Sequence, residues 1–323
     1  MQNLLDPAIL FFVFGVLAGA VGSNLEIPKS IAKFLSLYLL MALGLKGGFE
    51  LAKSGLTPGV LLSLGAAMSM AFIVPALGYA FLKNRVARYD AAAVAASYGS
   101  VSAVTFVTAI NFLESAGTSV GGHMAAAMVV MESPAIIMAV LLANSIRHHN
   151  AAASGAKASA MPIGKILHES FTDGAQLLLL GALAVGYISG ESGKAMMQPF
   201  STDLFKGMLA FFLLDMGLMV AKNFRDARQA SPVLIGYAML APLLHASIAL
   251  ALAWLLGLPL GDATLLMVLS ASASYIVVPA VLRYAIPEAN PAIYFGLSLG
   301  ITFPLNITIG IPVYAAMARA VLG

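Results

Sequence analysis

The chain has 323 residues, of which 60% are hydrophobic and only 10% charged, and its 17 basic and 14 acidic side chains give a formal net charge of +3. A soluble domain is about 45–50% apolar and about 25% charged, so this composition excludes a water-soluble globule and predicts a polytopic membrane protein. The absence of cysteine excludes disulfides, thiolate metal sites and thiol nucleophiles.

Ten segments are long and apolar enough to cross a membrane, since a spanning helix needs about 20 mostly apolar residues. Clusters of glycine, proline and charged residues separate them. We therefore predict an all-α protein with ten transmembrane helices. In chain order the predicted spans are residues 7–25, 30–52, 57–82, 89–114, 121–147, 165–190, 202–224, 231–257, 261–286 and 291–322.

A low-complexity stretch at residues 150–161, NAAASGAKASAM, divides these spans into five and five. We predict a first five-helix repeat at 1–149, a linker at 150–162 and a second repeat at 163–323. Of the 17 Lys and Arg residues, 12 fall on the linker side of the membrane and the other five on the opposite side. Because Lys and Arg favour cytoplasmic loops, this bias predicts a cytoplasmic linker and places both termini outside.

The two five-span units echo one another in sequence. Five is an odd number, so a duplicated second unit must lie inverted relative to the first. Asp90, Ser100 and Ser102 correspond to Asp262, Ser272 and Ser274 at an offset of 172, and Pro134 corresponds to Pro304 at an offset of 170. Inverted repeats are typical of secondary transporters, whose binding sites lie at interrupted helices near the middle of the membrane.

Spans four and nine carry the strongest signal of such interruptions, because residues 96–105 and 269–275 are rich in small and hydroxyl side chains. Serines two residues apart cannot share one face of a helix, but they share one side of an extended segment. A helix broken there would offer N–H groups to an anion, and carbonyls and hydroxyls to a cation. The alternative is that the small residues only allow close helix packing. Their occurrence in both units favours a binding site.

Charged groups inside the spans need a physical reason, because each costs at least ~2.5–3.5 kcal/mol at the membrane centre. Glu132 lies in span five beside Pro134, which frees a backbone carbonyl one turn earlier. Our leading interpretation is a Na⁺ site at Glu132, and a protonated structural glutamate is the alternative. For Asp215 a packing or helix-end role is favoured over a functional one, and for His245 a packing role is favoured over a proton relay.

The remaining polar residues of the spans have simpler explanations. We expect Asp90 and Asp262 to cap the helices that they begin, and Lys46 to extend its ammonium group toward the membrane surface. Further candidates for lining a cavity are Asn111, Thr302, Asn306 and Thr308.

Several stretches of the chain resemble the sodium-dependent bicarbonate transporter family, the SbtA-like permeases. They are residues 96–108, 131–135 with 143–144, 241–245, 270–283, 286–292 and 300–304. The resemblance extends over nearly the whole chain. It implies ten helices in two inverted five-helix repeats, with helices four and nine interrupted. It also implies a homotrimer in the bacterial plasma (inner) membrane, with a core that moves against a gate in an elevator-like manner.

The resemblance also implies where the solutes bind, since the bicarbonate and Na⁺ sites of the family lie around the breaks of helices four and nine. The implied substrate site comprises Ser97, Gly99, Ser100, Ser102, Ser270, Ser272 and Ser274, to which we add Thr302. The implied Na⁺ ligands are Glu132, Ser100, Ser272 and Tyr275.

Two features depart from the family. The characterised cyanobacterial members have an aspartate in the second break, where this chain has Tyr275, and the missing carboxylate bears on the Na⁺ stoichiometry and on the choice of anion. Those members also have a longer central loop. A PII-like regulator binds the cytoplasmic face of the family and is a further implied partner, and the short linker bears on this regulation.

These observations predict a Na⁺-coupled symporter that carries bicarbonate into the cell, with Na⁺ as the coupling ion, no cofactor and no catalytic residue. The alternative is Na⁺-coupled uptake of another small anion, such as a short organic anion. No arginine occurs in either serine-rich stretch, which argues against a dicarboxylate or phosphate substrate. A distant alternative is an intramembrane enzyme with a Ser100–His245 dyad. A passive channel is disfavoured, because paired breaks suit alternating access.

Overall fold

The computed structural model describes residues 6–55, 57–154, 174–228, 230–275 and 277–323. Within these residues the secondary structure is helical, with no strand, and seven helical stretches are long and apolar enough to cross a membrane. The predicted class of an all-α polytopic membrane protein is therefore confirmed.

The helices begin and end at glycine, proline and capping residues, as local propensity requires. Asp6 caps the first helix by accepting a hydrogen bond from the backbone N of Ala8 at 2.8 Å. In the first half the helices are α1 (Pro7–Ala20), α2 (Lys29–Ser54), α3 (Pro58–Leu82), α4 (Arg88–Gly99), α5 (Ala103–Ser115) and α6 (Met124–Ser154).

The second half contains α7 (Gly174–Gln198), α8 (Phe205–Arg228), α9 (Pro232–Leu256), α10 (Leu260–Ala271), α11 (Val277–Ala285), α12 (Pro291–Leu297), α13 (Phe303–Leu305) and α14 (Ile311–Leu322). Wide π-helical turns at Ser298–Thr302 and Asn306–Gly310 join α12, α13 and α14 into one helical stretch. A third π turn, Pro199–Asp203, follows α7.

The seven candidate spans are fewer than the ten predicted, for reasons that lie in particular helices. Helix α1 has 14 residues and α10 has 12, each too short alone for a crossing of about 20 residues. The chain from Leu177 to Lys222 is one apolar stretch of 46 residues, more than twice that length. Helix α7, within this stretch, is itself interrupted at Gly190, where φ is 55°.

Helices α1, α2, α7 and α8 pack mainly on one another, and we call them the four-helix group. Helix α1 lies along α8, and α2 lies along α7 and touches α8. Glycines allow this close packing: a Cβ added at Gly44 would lie 2.6 Å from the carbonyl oxygen of Leu179, and one added at Gly19 would lie 2.6 Å from the Cβ of Ala221.

The other helices form a second group, which we call the break-containing group. Helix α3 packs on α4 and α6, α9 packs on α10, and α10 also touches α3 and α5. Every residue of α4 from Ala91 to Gly99 is buried, and so is every residue of α10 from Gly261 to Ala271. Helices that are apolar on all sides belong in the interior of such a bundle.

Helix α6 runs to Ser154, beyond the predicted end of span five at residue 147. The first residues of the predicted linker are therefore helical. The rest of the linker, and the predicted start of span six at residue 165, lie outside the described residues.

Asp90 and Asp262 lie in the first turns of α4 and α10, as expected for acids near helix N-termini, but their carboxylates also accept hydrogen bonds from distant loops. Asp90 Oδ1 accepts a hydrogen bond from the backbone N of Asn290 at 2.7 Å, in the α11–α12 loop. Asp262 Oδ1 accepts one from the backbone N of Gly121 at 2.6 Å, in the α5–α6 loop. Each carboxylate thus satisfies a loop N–H group, because such a group needs a partner when it leaves water. His123 adds a second contact, with its Nε2 3.4 Å from Asp262 Oδ2.

Candidate functional site

The predicted interruptions of spans four and nine are present. Helix α4 ends at Gly99, Ser100 is extended with φ −96° and ψ −175°, and α5 begins after Ser102. Helix α10 ends at Ala271, and Ser272 is extended with φ −84° and ψ 169°. We call residues 100–102 the first break and residues 272–275 the second break.

The two breaks contact each other directly. The backbone N of Ser102 donates to Ser272 Oγ at 3.0 Å, and the backbone N of Ser274 donates to the carbonyl oxygen of Ser97 at 2.8 Å. Ser102 Oγ donates to the Tyr275 hydroxyl at 3.4 Å. Two buried helix interruptions that are far apart in sequence therefore cross at one place.

A serine starts the helix that leaves each break. Ser102 Oγ accepts hydrogen bonds from the backbone N of Thr105 at 3.2 Å and from its hydroxyl at 2.9 Å. Ser274 Oγ accepts from the backbone N of Val278 at 3.2 Å. These bonds satisfy one otherwise free N–H group of each helix.

Four buried serine hydroxyls have no hydrogen-bond partner among the described residues; three lie at or next to the breaks, and the fourth, Ser298, lies one helical turn before Thr302. They are Ser97, Ser100, Ser270 and Ser298, each at most 1% exposed. A buried hydroxyl without a partner is costly in a dry interior. Such groups can therefore bind a polar solute at little further desolvation cost.

The polar stripe of span ten lies against the crossing at two of its predicted positions. Asn306 Nδ2 donates to the carbonyl oxygen of Ala271, the last residue of α10, at 2.9 Å. The Thr302 hydroxyl donates to the carbonyl oxygen of Ala238 at 2.8 Å and lies 2.5 Å from the Tyr98 hydroxyl, which must therefore donate to it.

Two other candidates for lining the cavity have different surroundings. Asn111 Nδ2 donates to Asp6 Oδ2 at 3.2 Å, at the start of α1. The Thr308 hydroxyl donates to the carbonyl oxygen of Pro304 at 2.7 Å, within its own helix. Neither bond joins a break.

Gly99 is explained by packing at the end of α4. A Cβ added there would lie 2.7 Å from Cδ and Cγ of Pro75, the proline inside α3. The absence of a side chain allows α3 to pass directly beneath the first break.

Glu132 lies inside α6, two residues before Pro134, and is 8% exposed. Asp215 in α8 is buried to a similar extent, at 7%. No cluster of three or more His, Asp or Glu side chains that could hold a metal ion occurs among the residues that the structure describes.

The enzyme alternative finds no catalytic geometry at its proposed dyad. Ser100 Oγ and His245 Nδ1 each lack a hydrogen-bond partner among the described residues, so they do not bond to each other. His245 instead packs on Tyr237 with ring centroids 6.3 Å apart and lies within hydrogen-bonding reach of the Ser270 backbone. Residues 117–121 and 296–300 match G-x-S-x-G, but neither forms the strand-to-helix turn that this motif requires.

A cavity of about 370 Å³ opens between the four-helix group and the α5–α6 loop. Lys46 Nζ at its wall lies 3.7 Å from Glu114 Oε1 and 4.7 Å from the ring centre of Phe205, so this lysine is paired and does not simply extend to the surface. Lys194 Nζ lies 2.8 Å from Glu50 Oε1. The Lys46–Glu114 pair joins α2 to α5. The other described ion pairs each stay within one helix group.

Sequence reasoning did not include Ser298 or Tyr98 in the candidate site. Ser298, Thr302 and Asn306 follow one another at a spacing of four, which puts them on one face of a helix. Extending the polar stripe by one turn would have found Ser298. Tyr98 had no such signal, because its contact with Thr302 joins residues 204 positions apart.

Comparison with known proteins gives one clear relationship. The family model described as the Na⁺-dependent bicarbonate transporter superfamily matches residues 7–319, nearly the whole chain. Among curated proteins no significant match was found. The matched family is one of transporters and not of enzymes, and Na⁺ as a coupling ion fits it.

Proposed function

Because this chain belongs to the Na⁺-dependent bicarbonate transporter superfamily, we propose that it is a secondary transporter that couples inward Na⁺ flow to uptake of bicarbonate. The observation that carries the proposal is the crossing of two buried helix breaks, with several hydroxyls that have no partner among the described residues. Inward Na⁺ flow is also driven by a negative cell interior, at ~2.3 kcal/mol per charge per 100 mV.

The helix ends at the crossing suit an anion and a cation together. Helices α5 and α11 begin at the breaks, so their N–H groups and positive dipole ends favour an anion. Helices α4 and α10 end there, so their last carbonyls favour a cation. We assign bicarbonate to Ser97, Ser100 and Ser270 with these N–H groups, supported by the buried hydroxyls that lack described partners.

We assign the remaining predicted residues to support of the same site. Ser102, Ser272 and Ser274 hold the breaks in place through the bonds described above, and Thr302 positions Tyr98. Na⁺ binds the hydroxyls of Ser100, Ser272 and Tyr275 together with Glu132, in which the carboxylate supplies the negative charge that favours the ion.

We further propose ten spans in two inverted repeats. Reciprocal contacts support this: α1 packs on α8 as α2 packs on α7, and α3 packs on α4 as α9 packs on α10. Asp90 and Asp262, at an offset of 172, bind the loops that follow the opposite breaks. In this scheme α1 and the α10–α11 pair each complete one crossing, and the stretch from Leu177 to Lys222 makes two.

The division of the helices into two groups supports an elevator-like movement of the break-containing group, the core, against the four-helix group, the gate. The Lys46–Glu114 pair lies between them, is partly exposed and is longer than the other described ion pairs, so it can open at modest cost. From the charge bias we propose that the linker is cytoplasmic and that both termini lie outside. From the resemblance we propose that the protein forms a homotrimer in the bacterial inner membrane and that a PII-like regulator binds its cytoplasmic face.

Uptake of radiolabelled bicarbonate into proteoliposomes tests the function. We expect uptake to require an inward Na⁺ gradient and to fall at least fivefold in Ser100→Ala. Ser63→Ala is the matched control, because Ser63 is equally buried but bonds within its own helix, to the carbonyl oxygen of Gly59. Uptake that is indifferent to Na⁺, or equal loss in both variants, would reject the proposal.

A second candidate is Na⁺-coupled uptake of another small anion by the same site. Tyr275 favours it, because a phenol in the second break fills space and has an O–H group available to donate to an anion where the characterised family members have a carboxylate. Competition of bicarbonate uptake by formate, acetate and lactate separates the two. Stronger inhibition by a carboxylate than by unlabelled bicarbonate supports the second candidate.

A further inference from the structure

A groove between α3 and α9 lies on the outer surface of the break-containing group. It has a volume of about 460 Å³, and its walls include Leu77 and Phe81 of α3 and Leu240 and Leu244 of α9. These four side chains are between 42% and 69% exposed. In a chain that spans a membrane, such a surface faces acyl chains or a neighbouring protein.

One end of the groove is cationic. Arg85 lies three residues beyond the end of α3, with its guanidinium carbon 4.0 Å from the ring centre of Phe81 and a hydrogen bond to the Phe81 carbonyl oxygen. In the part of the chain that the structure describes, Arg85 has no carboxylate partner. The ring and the carbonyl hold the planar guanidinium at the groove mouth, where its remaining N–H groups can bind phosphate oxygens.

The ring of Tyr237 forms part of the groove wall. Its hydroxyl is buried and fills the space left by the missing side chain of Gly78, where an added Cβ would lie 2.4 Å from it. Tyr237 is five residues after Pro232, so it lies ~7.5 Å along α9 from the helix start. The groove wall next to Arg85 is therefore aromatic and apolar.

We infer that this groove binds an anionic phospholipid, with its phosphate on Arg85 and an acyl chain along Phe81, Leu77, Leu240 and Leu244. Charge complementarity at the mouth selects an anionic lipid over a zwitterionic one. A cation at one end of an apolar wall matches the order of phosphate and acyl chain in a phospholipid.

The lipid site also contacts the crossing. Tyr237 stacks on Phe81 with ring centroids 6.0 Å apart and meets Tyr98 edge-on at 5.1 Å. Tyr98 in turn bonds Thr302 beside the second break. An occupied groove therefore holds Tyr237 in the position that supports Tyr98.

The test uses the full chain, purified in detergent, supplied with phosphatidylglycerol or phosphatidylcholine of identical acyl chains and examined by native mass spectrometry. We expect each chain to retain at least one phosphatidylglycerol, and Arg85→Gln to reduce that retention at least fivefold. Lys83→Gln is the matched control, since Lys83 is an exposed cation two residues away that does not line the groove. Equal retention of the two lipids, or equal loss in both variants, overturns the inference.

Filling the groove gives an independent readout. A Cβ added at Gly236, which lines the groove, would meet no atom within 4 Å, and the same is true of a Cβ added at Gly65 on α3, away from the groove. We expect Gly236→Leu to lose retained phosphatidylglycerol at unchanged melting temperature, and Gly65→Leu to retain it. Retention by Gly236→Leu overturns the site. Loss of oligomer mass in Gly236→Leu without loss of lipid shows a second copy in the groove, and also overturns it.

Discussion

The two breaks occupy equivalent places in the two halves, yet their serines have different surroundings. Ser272 in the second break donates to the carbonyl oxygen of Leu269 at 2.8 Å and accepts from the backbone N of Ser102 at 3.0 Å. Ser100, its counterpart in the first break, has no described partner for its hydroxyl. The second break therefore uses its hydroxyl to hold the crossing together, and the first leaves its hydroxyl available to a solute.

The residue that follows the second serine of each break, Ser102 or Ser274, differs as well. Ala103 in the first half corresponds to Tyr275 in the second at the offset of 172. Tyr275 packs edge-on against Phe303 with ring centroids 5.2 Å apart and reaches Ser102 across the crossing. The two breaks thus share a position at one sequence offset but differ in the side chains that line them.

The largest expected effect tests whether Glu132, in the first half of the chain, binds Na⁺. At the offset of 170, Glu132 of the first half corresponds to Thr302 of the second, so only the first half has a carboxylate at this position. We expect Glu132→Gln to raise the Na⁺ concentration for half-maximal uptake at least tenfold, about 1.4 kcal/mol. The measurement is Na⁺-dependent bicarbonate uptake in proteoliposomes. Asp215→Asn, a similarly buried acid in α8, is the control, and an equal shift in both would remove Glu132 from the Na⁺ site.

The next effect separates the two equivalent serines. Ser272→Ala leaves the buried N–H of Ser102 without a partner, which costs roughly 1–3 kcal/mol of stability. Ser100→Ala removes a hydroxyl that has no described bond, so we expect unchanged thermal stability and a higher KM for bicarbonate. Melting temperature and uptake kinetics, measured on both variants, check this. Similar melting temperatures for the two variants would contradict the difference between the breaks.

A smaller effect is expected from the phenol of the second break. Tyr275→Phe removes one long hydrogen bond and keeps the edge contact with Phe303, so stability should change by less than about 1 kcal/mol. We expect a two- to fivefold change in Na⁺ half-saturation. Phe303→Leu, which disturbs packing without touching the hydroxyl, is the comparison, and an identical Na⁺ response in wild type and Tyr275→Phe would exclude the phenol as a ligand.

The smallest effect concerns the loops that follow the breaks. The α11–α12 loop has an extra anchor, because Arg147 donates to Glu288 at 2.9 and 2.8 Å. These bonds lower the pKa of Glu288, so the anchor stabilises the fold above the ordinary glutamate pKa of about 4.3 and is lost as the pH falls through the lowered value.

We expect Glu288→Gln to lower stability at pH 7 by less than about 1 kcal/mol, since the pair is partly exposed. The difference from wild type should shrink below pH about 4. Thermal melting at both pH values measures it. Glu26→Gln, at an exposed position, is the control, and a deficit that persists unchanged at low pH would contradict the role of the ion pair.

The sequence was sufficient to predict the membrane class, most helix ends and both breaks. Composition, proline positions and the matched serine runs are local properties, and repetition at one offset made the serine runs stand out. The offset also related Asp90 to Asp262. It could not predict the N–H groups that these carboxylates bind, because Asn290 and Gly121 lie in loops 200 and 141 residues away.

The side-chain roles within the site were less accessible. Ser100 and Ser272 are identical in type and register, and the difference between them depends on the backbone N–H of Ser102, which the fold alone brings into reach. Gly99 is similar to other small residues in sequence, and only its position over Pro75 reveals a packing role. Chemistry that depends on contacts between distant segments is not encoded in local spacing.

Lys46 and Glu114 also have a consequence for turnover in different solutions. Under the proposed elevator-like movement this partly exposed pair separates in every cycle, and dissolved salt weakens the pair by screening its charges. Raising external choline chloride at constant Na⁺ should therefore increase the maximal uptake rate. The half-saturation concentrations for Na⁺ and bicarbonate should stay unchanged. The salt concentration of the medium would then set the turnover rate of this protein independently of the Na⁺ gradient that drives it.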